Sequence, residues 1–264
     1  MAALFFDIDD TLLSGLTGKV PESALEGIRK VKENGHQVFI NTGRTNCSIP
    51  PMIRNLDMDG FMCGCGTYLI YDGEVLFESH IPQEIGDSYI DLMKEYHIDG
   101  FVEGTEDIYF SERVSSCEPI ESTRRYMASM GLGRETYMEQ KGFSFDKMLI
   151  QINKKDQRCR YQEFFASIED EMDIIDRQGG MYEIVQTGYS KATAIEFMKK
   201  HLGLTMDEIY VFGDSSNDLS MFEYAKHAIA LERHDPVLDP YTEFVTDTVE
   251  NDGVYKAMQH YGLV

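Results

Sequence analysis

The sequence predicts an α/β fold, in which a parallel-sheet core built from both ends of the chain is interrupted by an inserted α+β domain. Near both termini, short and continuously apolar segments alternate with amphipathic helical segments, the pattern of a parallel sheet covered on both faces. The middle of the chain instead contains apolar segments joined by turn residues, which is typical of antiparallel strands. A chain of 264 residues is long enough for two domains. We predict a core of residues 1–81 and 185–264 and an inserted domain of residues 82–184.

The N-terminal part of the core begins with a predicted strand, helix and strand. Residues 2–6 are all apolar and form the first strand. Pro21 opens a helix that ends at Asn34-Gly35. One face of this helix carries four apolar residues: Ala24, Leu25, Ile28 and Val31. Residues 38–40, Val-Phe-Ile, form a second short buried strand.

The C-terminal part of the core repeats this alternation. Ser190 caps a helix whose apolar residues are Ala194, Ile195, Met198 and Leu202, and Gly203 lies just past its end. Residues 209–212 form a third buried strand, followed by a helix from about Asn217. Residues 227–230 and 244–246 predict two further strands.

The inserted domain has a different pattern. Residues 143–152 and 172–177 read as strands, and a Gln178-Gly179-Gly180 turn leads into a third strand at residues 181–186. Strands joined in this way, with helices between them, indicate an antiparallel α+β unit.

The composition excludes several classes of partner. The chain has 24 basic and 46 acidic residues, a net charge of -22, and such a surface repels nucleic acids and anionic membranes. No apolar stretch approaches the roughly 20 residues needed to cross a bilayer. The N-terminus lacks the features of a secretion signal, so we expect a cytoplasmic protein. Its five cysteines are odd in number and not spaced as zinc ligands, and we expect reduced thiols.

Four short motifs carry the candidate chemistry, and the first is Asp7-Ile8-Asp9-Asp10-Thr11, directly after the first strand. Residues two apart on an extended chain point the same way, so Asp7 and Asp9 would concentrate negative charge at the strand end. Such a concentration is unfavourable unless a cation binds there. The alternative for this motif alone is a polar turn after a strand.

The second and third motifs could bind an anion. Asn41-Thr42-Gly43-Arg44 follows a strand, and its hydroxyl and backbone amides can form a small anion cradle. Lys191 lies in the first turn of the helix capped by Ser190, where the helix dipole disfavours a cation. That position makes sense if an anion binds beside it, and otherwise Lys191 is one solvated lysine among many.

The fourth motif is Gly213-Asp214-Ser215-Ser216-Asn217-Asp218. Glycine permits a tight turn off the strand, and two carboxylates four residues apart flank the start of the next helix. Mg²⁺ takes one or two carboxylates together with substrate oxygens and water. With Asp7 and Asp9 this motif completes an oxygen-lined site at strand carboxyl ends, where open α/β sheets bind ligands. An acidic helix N-terminus is the alternative for this motif alone.

These four motifs, in this order, resemble the haloacid dehalogenase (HAD) superfamily of phosphohydrolases over about residues 1–80 and 185–264. The 30 residues 12–41 between the first and second motifs are too few for a domain. The 146 residues 45–190 between the second and third motifs are enough for one. The chain therefore resembles the C2-capped, Cof-like branch, which has a Rossmann-like core. The ending Asp252-Gly253-Val254 is also similar to that branch. Asp10 is a departure, since the branch usually has Gly there, but Asp tolerates unusual backbone angles.

The resemblance implies phosphoryl transfer through an aspartyl-phosphate and a Mg²⁺ cofactor. Asp7 would be the nucleophile, and Asp9 would protonate the leaving group and then activate water. Asp7, the backbone carbonyl of Asp9, and Asp214 would hold the metal.

The remaining motif residues would bind phosphate or support the metal. Thr42 and the Gly43 amide would hold phosphoryl oxygens, and Lys191 would add positive charge. Asp218 and Asn217 would orient the metal's waters or Lys191. Arg44 would contact substrate or form a structural ion pair. The inserted domain would act as a lid, and its aromatic residues would serve mainly in packing.

The leading hypothesis is a Mg²⁺-dependent phosphatase for a small phosphomonoester, such as a sugar phosphate or a phosphorylated cofactor. One alternative is a phosphomutase or phosphotransferase that passes the phosphoryl group to a hydroxyl. Another is a phospho-accepting regulatory protein without turnover. The sequence leaves the substrate and the oligomeric state open.

Overall fold

The computed structural model describes residues 1–264, which divide into two compact units. The first unit comprises Met1–Gly43, Pro51–Phe77 and Tyr189–Val264. The second comprises Arg44–Pro50 and Glu78–Gly188. The predicted insertion of residues 82–184 lies inside the longer segment of the second unit. Residues 44–50, which the sequence analysis assigned to the core, belong to the second unit.

The secondary structure is a mixture of strands and helices along the whole chain. In chain order the strands are β1 (Ala3–Phe6), β2 (Gln37–Asn41), β3 (Gly60–Cys63), β4 (Tyr68–Tyr71), β5 (Glu74–Glu78), β6 (Asp99–Glu103), β7 (Ile108–Phe110), β8 (Lys147–Gln151), β9 (Met172–Asp176), β10 (Met181–Gln186), β11 (Ile209–Gly213), β12 (His227–Ala230) and β13 (Phe244–Val245). The α-helices are α1 (Glu22–Glu33), α2 (Pro51–Arg54), α3 (Gln83–Glu95), α4 (Glu118–Ser129), α5 (Tyr161–Ala166), α6 (Lys191–Leu202), α7 (Leu219–Tyr224) and α8 (Gly253–His260). None of these helices combines the length and hydrophobicity of a bilayer-spanning segment.

The first unit is built on an eight-stranded sheet with the order β13-β12-β11-β1-β2-β3-β4-β5. Its neighbours from β13 to β3 are parallel, which confirms the predicted α/β core. Phe6 is in register with Ile40 of β2 and with Phe212 of β11. The residues that follow these three strands therefore lie at the same end of the sheet, where the strands have their carboxyl ends.

One edge of this sheet departs from the predicted parallel arrangement. Strand β4 pairs antiparallel with β3, and β5 follows β4 after a turn at Asp72-Gly73. Both turn residues have positive φ, 48° and 78°, as a tight hairpin turn requires. The sequence analysis missed this hairpin although Asp-Gly between apolar segments is a strong hairpin signal.

The helices of the first unit agree with the predicted termini but not with every predicted face. In α1, Ala24, Ile28 and Val31 are buried, whereas Leu25 is 36% exposed, so the prediction for Leu25 was wrong. Gly27 takes its place on the buried face, where an added Cβ would lie 2.6 Å from the Met258 sulfur. In a helix the buried stripe follows positions i, i+4 and i+7, and Leu25 lies beside it.

The second unit contains a five-stranded sheet with the order β7-β6-β8-β10-β9, and its pairs are antiparallel. The predicted strand at residues 143–152 is shorter than expected, because β8 covers Lys147–Gln151 only. Phe145, just before β8, is fully buried in a core that includes Tyr89 of α3 and Phe164 of α5. A second apolar cluster includes Ile120 of α4.

A row of charged side chains is also buried in this sheet. Lys147 on β8 lies 3.4 Å from Glu103 on β6 and contacts Glu183 on β10. Arg177 pairs with the second oxygen of Glu183 at 3.0 Å. Burial alone would raise the pKa of Glu183, but Lys147 and Arg177 outweigh it and hold that pKa at about 2. The charged form of Glu183 is therefore stabilised by its two partners, whereas at Glu103 burial outweighs the attraction of Lys147 and raises the pKa.

We expect Lys147→Met to destabilise the protein by about 3–5 kcal/mol, because it leaves two buried carboxylates without their shared cation. Urea denaturation followed by circular dichroism measures this loss. Lys154→Met, at an exposed lysine in the same unit, should change the free energy of unfolding by less than about 0.5 kcal/mol. Equal stability of the two variants would contradict the prediction.

Candidate active site

The candidate site is centred on a buried ion-pair cluster at the carboxyl ends of β1 and β11. Asp7 follows β1 directly, and its backbone N–H donates to the Phe212 carbonyl at 3.0 Å. Lys191 Nζ lies 2.5 Å from Asp7 Oδ1 and 2.6 Å from Asp218 Oδ1. The three side chains come from opposite ends of the chain, and all of them are buried.

The neighbours of Lys191 favour its charged form. Burial alone would lower its pKa, but the attraction of Asp218 and Asp7 is larger, so the pKa of Lys191 is raised above its ordinary value. Ser190 Oγ accepts from Thr193 N–H at 3.2 Å and confirms the predicted cap of α6. The Asn41 side-chain amide donates to the Lys191 carbonyl at 3.0 Å and fixes the first turn of the helix. The sequence predicted an anion beside Lys191, and in the structure the carboxylates of Asp7 and Asp218 lie there.

The loop after β11 is organised around Asp218. The second oxygen of Asp218 accepts from the backbone N–H groups of Asp214 at 2.9 Å and Ser215 at 3.1 Å. An added Cβ at Gly213 would lie 2.6 Å from the Asp218 carboxyl carbon. Gly213 does not have a positive φ, so the residue is small because of this close approach and not because of a tight turn.

Thr11 is a contributor that the sequence analysis did not assign. Its buried hydroxyl donates to Asp214 Oδ1 at 2.8 Å, across 203 residues of sequence. The hydroxyl was noted as part of the first motif, but its partner depends on the pairing of β1 with β11. This hydrogen bond orients one carboxylate oxygen of Asp214.

Three carboxylates meet at this site. Asp7, Asp214 and Asp218 each offer one oxygen, and these oxygens lie within 4.8 Å of one another. Burial raises the pKa of Asp7 to about 6 despite the attraction of Lys191. Burial, together with repulsion from Asp218 and Asp7, raises the pKa of Asp214 to about 9. Hard oxygen donors with this excess of negative charge fit a divalent cation such as Mg²⁺.

These raised pKa values predict how the stability of the metal-free protein depends on pH. Asp214 binds its proton more tightly in the folded than in the unfolded state. Its contribution to stability is therefore fully present below about pH 4 and is lost as pH rises toward about 9. Thermal unfolding in a chelator should therefore give a lower midpoint at pH 8 than at pH 5. Asp214→Asn should reduce this difference, and an unchanged difference would contradict the role of Asp214.

Asp9 and Asp10 lie beyond the end of β1. The prediction that Asp7 and Asp9 point the same way requires an extended backbone. Strand β1 ends at Phe6, and the chain bends at Ile8. Asp7 is buried and Asp9 is exposed. Asp10 has φ 57°, in the left-handed region that favours glycine, and its carboxylate accepts from the Gly15 N–H at 2.9 Å. Asp10 therefore has a backbone conformation that glycine adopts more readily.

The other predicted residues follow β2 or β11 in the first unit, or belong to the second unit. Thr42 is buried directly after β2, and its N–H donates to the Met62 carbonyl at 2.8 Å. Gly43 ends the opening segment of the first unit. Asn217 accepts from the Ser215 hydroxyl at 3.0 Å. Arg44 belongs to the second unit, where it donates to the Ser48 carbonyl at 3.0 Å.

Comparison with known proteins gives consistent matches along the whole chain. Residues 4–258 match the family model of haloacid dehalogenase-like hydrolases. The putative phosphatase YkrA of Bacillus subtilis is 24% identical over 265 residues, which cover 99% of this chain and 98% of that protein. The phosphatase YitU of the same organism is named for 5-amino-6-(5-phospho-D-ribitylamino)uracil. It is 22% identical over 265 residues, which cover 97% of this chain and 95% of that protein.

Two further matches extend this comparison. A putative bifunctional phosphatase/peptidyl-prolyl cis-trans isomerase of Streptococcus pyogenes is 27% identical over 99% of this chain. This chain spans only 54% of that relative. Among solved structures, the HAD subclass IIB sugar phosphatase BT4131 has a TM-score of 0.84 and 25% identity, with 100% of both chains covered.

Proposed function

Because the chain belongs to the haloacid dehalogenase-like hydrolase family and is a phosphoric monoester hydrolase, we propose that it cleaves its substrate through an aspartyl-phosphate on Asp7 with Mg²⁺ as cofactor. The observation that carries this proposal is the Asp7 carboxylate, buried at a strand end and held by Lys191 beside two further carboxylates. A carboxylate in this position is oriented for attack and protected from bulk water.

The proposed reaction has two displacements at phosphorus. In the first, an Asp7 oxygen attacks the phosphoryl group, the bond to the leaving oxygen breaks, and Asp9 donates a proton to that oxygen. In the second, water gives a proton to Asp9 and attacks the phosphorus of the aspartyl-phosphate. Inorganic phosphate leaves, and the Asp7 carboxylate and protonated Asp9 are restored. The exposure of Asp9 suits a residue that exchanges protons with the leaving group and water.

Positive charge is required because a carboxylate must approach a phosphate dianion. Lys191 supplies one fixed cation at the attacking carboxylate. The Thr42 hydroxyl and the Gly43 N–H would hold phosphoryl oxygens as they move during inversion. Arg44 would contact substrate or serve the structure, and its guanidinium donates to the Ser48 carbonyl.

The metal would be held by Asp7, Asp214 and the backbone carbonyl of Asp9, with Asp218 and Asn217 orienting the bound waters and Lys191. Bound Mg²⁺ would neutralise phosphoryl charge and align the phosphoryl group with the nucleophile. Thr11 would keep the Asp214 oxygen in its liganding orientation.

Removing divalent metal should abolish phosphatase activity, and Mg²⁺ should restore it. Asp214→Asn should raise the Mg²⁺ concentration for half-maximal activity by at least about tenfold, because it removes a charged ligand. Asp170→Asn, at an exposed carboxylate of the second unit, serves as the matched control. Full activity in a chelator, or equal Mg²⁺ dependence in both variants, would exclude the proposed metal site.

The proposed substrate is a small phosphorylated metabolite, either a sugar phosphate or a phosphorylated cofactor. Support comes from BT4131, described as a sugar phosphatase, and from YitU, named for a phosphorylated ribityl compound. Phosphate release from a panel of phosphorylated metabolites, with and without Mg²⁺, tests this proposal. Transfer to a sugar hydroxyl without phosphate release would indicate a phosphomutase. A stable phospho-Asp7 without turnover would indicate a regulatory protein.

A further inference from the structure

The loop that follows β12, residues 231–243, contacts the Gly213–Asp218 loop through Asp235. The Asp235 N–H donates to the Asp214 carbonyl at 2.7 Å. One carboxylate oxygen of Asp235, Oδ2, accepts from the Ser216 N–H at 2.9 Å, across 19 residues of sequence. Asp235 therefore binds this loop at two points, although neither the four sequence motifs nor the proposed reaction gives it a role.

The side chain of Asp235 does not cap its own helix. Asp235 directly precedes a short 3₁₀ helix, Pro236–Tyr241, and occupies its N-cap position. Asp is a favoured N-cap residue because its carboxylate can accept from the first N–H groups of the helix. The Asp235 carboxylate makes no such hydrogen bond. It accepts from Ser216 of the other loop instead, so capping of the local helix does not account for an aspartate at this position.

Two carboxylates share three successive backbone N–H groups of the Gly213–Asp218 loop. Asp218 Oδ2 accepts from the first two, at Asp214 and Ser215. Asp235 Oδ2 accepts from the third, at Ser216. A hydrogen bond from an N–H to a carboxylate is stronger than one between neutral groups. The backbone that carries the Asp214 side chain is therefore held from two directions.

Asp235 is itself held in place by the rest of its loop. The His234 ring bridges this loop, with Nε2 2.9 Å from Asp239 Oδ1 and Nδ1 2.6 Å from the Leu231 carbonyl oxygen. Leu238 is fully buried in the apolar core of the first unit. These contacts do not involve the Asp235 side chain, so we expect the loop to stay folded when that side chain is truncated.

We propose that Asp235 is a positioning residue for the divalent cation, and that it acts by fixing the direction of the Asp214 carboxylate without being a ligand itself. This inference rests on the proposed function, because it requires that Asp214 binds a metal. The role depends on an acceptor oxygen at the position of Asp235 Oδ2 and not on negative charge. Loss of such an outer hydrogen bond typically weakens metal binding by about 10–100-fold.

Binding of Mn²⁺ to the otherwise metal-free chain tests the inference without turnover. Mn²⁺ prefers the same oxygen ligands as Mg²⁺, and the electron paramagnetic resonance signal of the free ion weakens as the ion binds. Asp235→Ala should raise the dissociation constant of Mn²⁺ by about tenfold or more. Asp235→Asn keeps an acceptor oxygen in nearly the same place, so its constant should stay within about threefold of that of the natural chain.

Glu232→Ala is the matched control, because it removes one exposed carboxylate from the same loop. Its dissociation constant should stay within about threefold of that of the natural chain, since exposed charges are screened by salt. Circular dichroism checks the fold of each variant. If Asp235→Ala did not fold, Asp235→Glu would replace it with the same expectation, because the longer side chain keeps the charge but displaces the acceptor oxygens.

Asp214→Asn, which alters a proposed ligand, separates this inference from the proposed function. If Asp214→Asn bound Mn²⁺ as tightly as the natural chain, the proposed metal site and the role of Asp235 would both be wrong. If Asp214→Asn lost affinity and Asp235→Ala did not, only the role of Asp235 would be wrong. Equal losses in Asp235→Ala and Asp235→Asn would also overturn the inference, because the acceptor oxygen would then not be what matters.

Discussion

Asp7→Asn should lower the turnover number by a factor of about 10³ or more while the protein remains folded. The amide of Asn is a poor nucleophile, so the first displacement cannot form an aspartyl-phosphate. Asn has nearly the same shape as Asp, and Lys191 keeps Asp218 as an ion-pair partner. Steady-state phosphate release with the best substrate of the panel measures the loss, and circular dichroism checks the fold.

Asp10→Asn is the matched control for this experiment. Asp10 lies in the same loop, is exposed, and has a positive φ that Asn also tolerates. Its turnover number should stay within a few-fold of that of the natural chain. If Asp7→Asn kept comparable activity, Asp7 could not be the nucleophile, and the mechanism would have to be assigned to another residue.

Lys191→Met should affect both activity and stability. It removes the fixed cation beside Asp7, and loss of one such electrostatic contact lowers turnover by about 10²–10³-fold. It also leaves the buried carboxylates of Asp7 and Asp218 without their shared partner, which should cost about 3–5 kcal/mol in the metal-free protein. Turnover in saturating Mg²⁺ and urea denaturation in a chelator measure the two effects separately.

Lys200→Met provides the control on the same helix. Lys200 is 72% exposed and pairs only with Glu196 one turn away, so its loss should change stability by less than about 0.5 kcal/mol. Lys191→Arg keeps the charge but brings a larger, planar group into a closed site and should recover stability better than turnover. A Lys191→Met variant as stable and active as Lys200→Met would remove Lys191 from the proposed machinery.

Local sequence patterns were sufficient for the elements that position the site. The apolar run before Asp7 and the apolar run before Gly213 predicted strands β1 and β11, and the structure has both. Ser190 and Gly203 predicted the ends of α6, and Gly203 has the left-handed φ of 68° that a helix C-terminus favours. These features depend on residues close together in sequence, which is why a single sequence reveals them.

The contacts within the site required the tertiary structure. From its spacing alone, Lys191 could have been a solvated lysine, and its two carboxylate partners lie 184 and 27 residues away. Thr11 and Asp214 meet only because β1 pairs with β11. The sequence also did not predict the contacts of Lys147 with Glu103 and Glu183, because these residues lie on three different strands. Pair partners across a sheet depend on register, which local periodicity does not specify.

The pairing of β1 between β2 and β11 has a consequence for biosynthesis. Strand β1 lies inside its sheet, but one of its two neighbours is Ile209–Gly213, which follows the second unit in the chain. Until that segment emerges, Ala3–Phe6 lacks half of its backbone pairing. Contacts so distant in sequence form slowly, whereas the second unit is continuous apart from seven residues and can fold first. A nascent chain that stops before Ile209 therefore lacks the assembled candidate site, which forms only once β11 has been made.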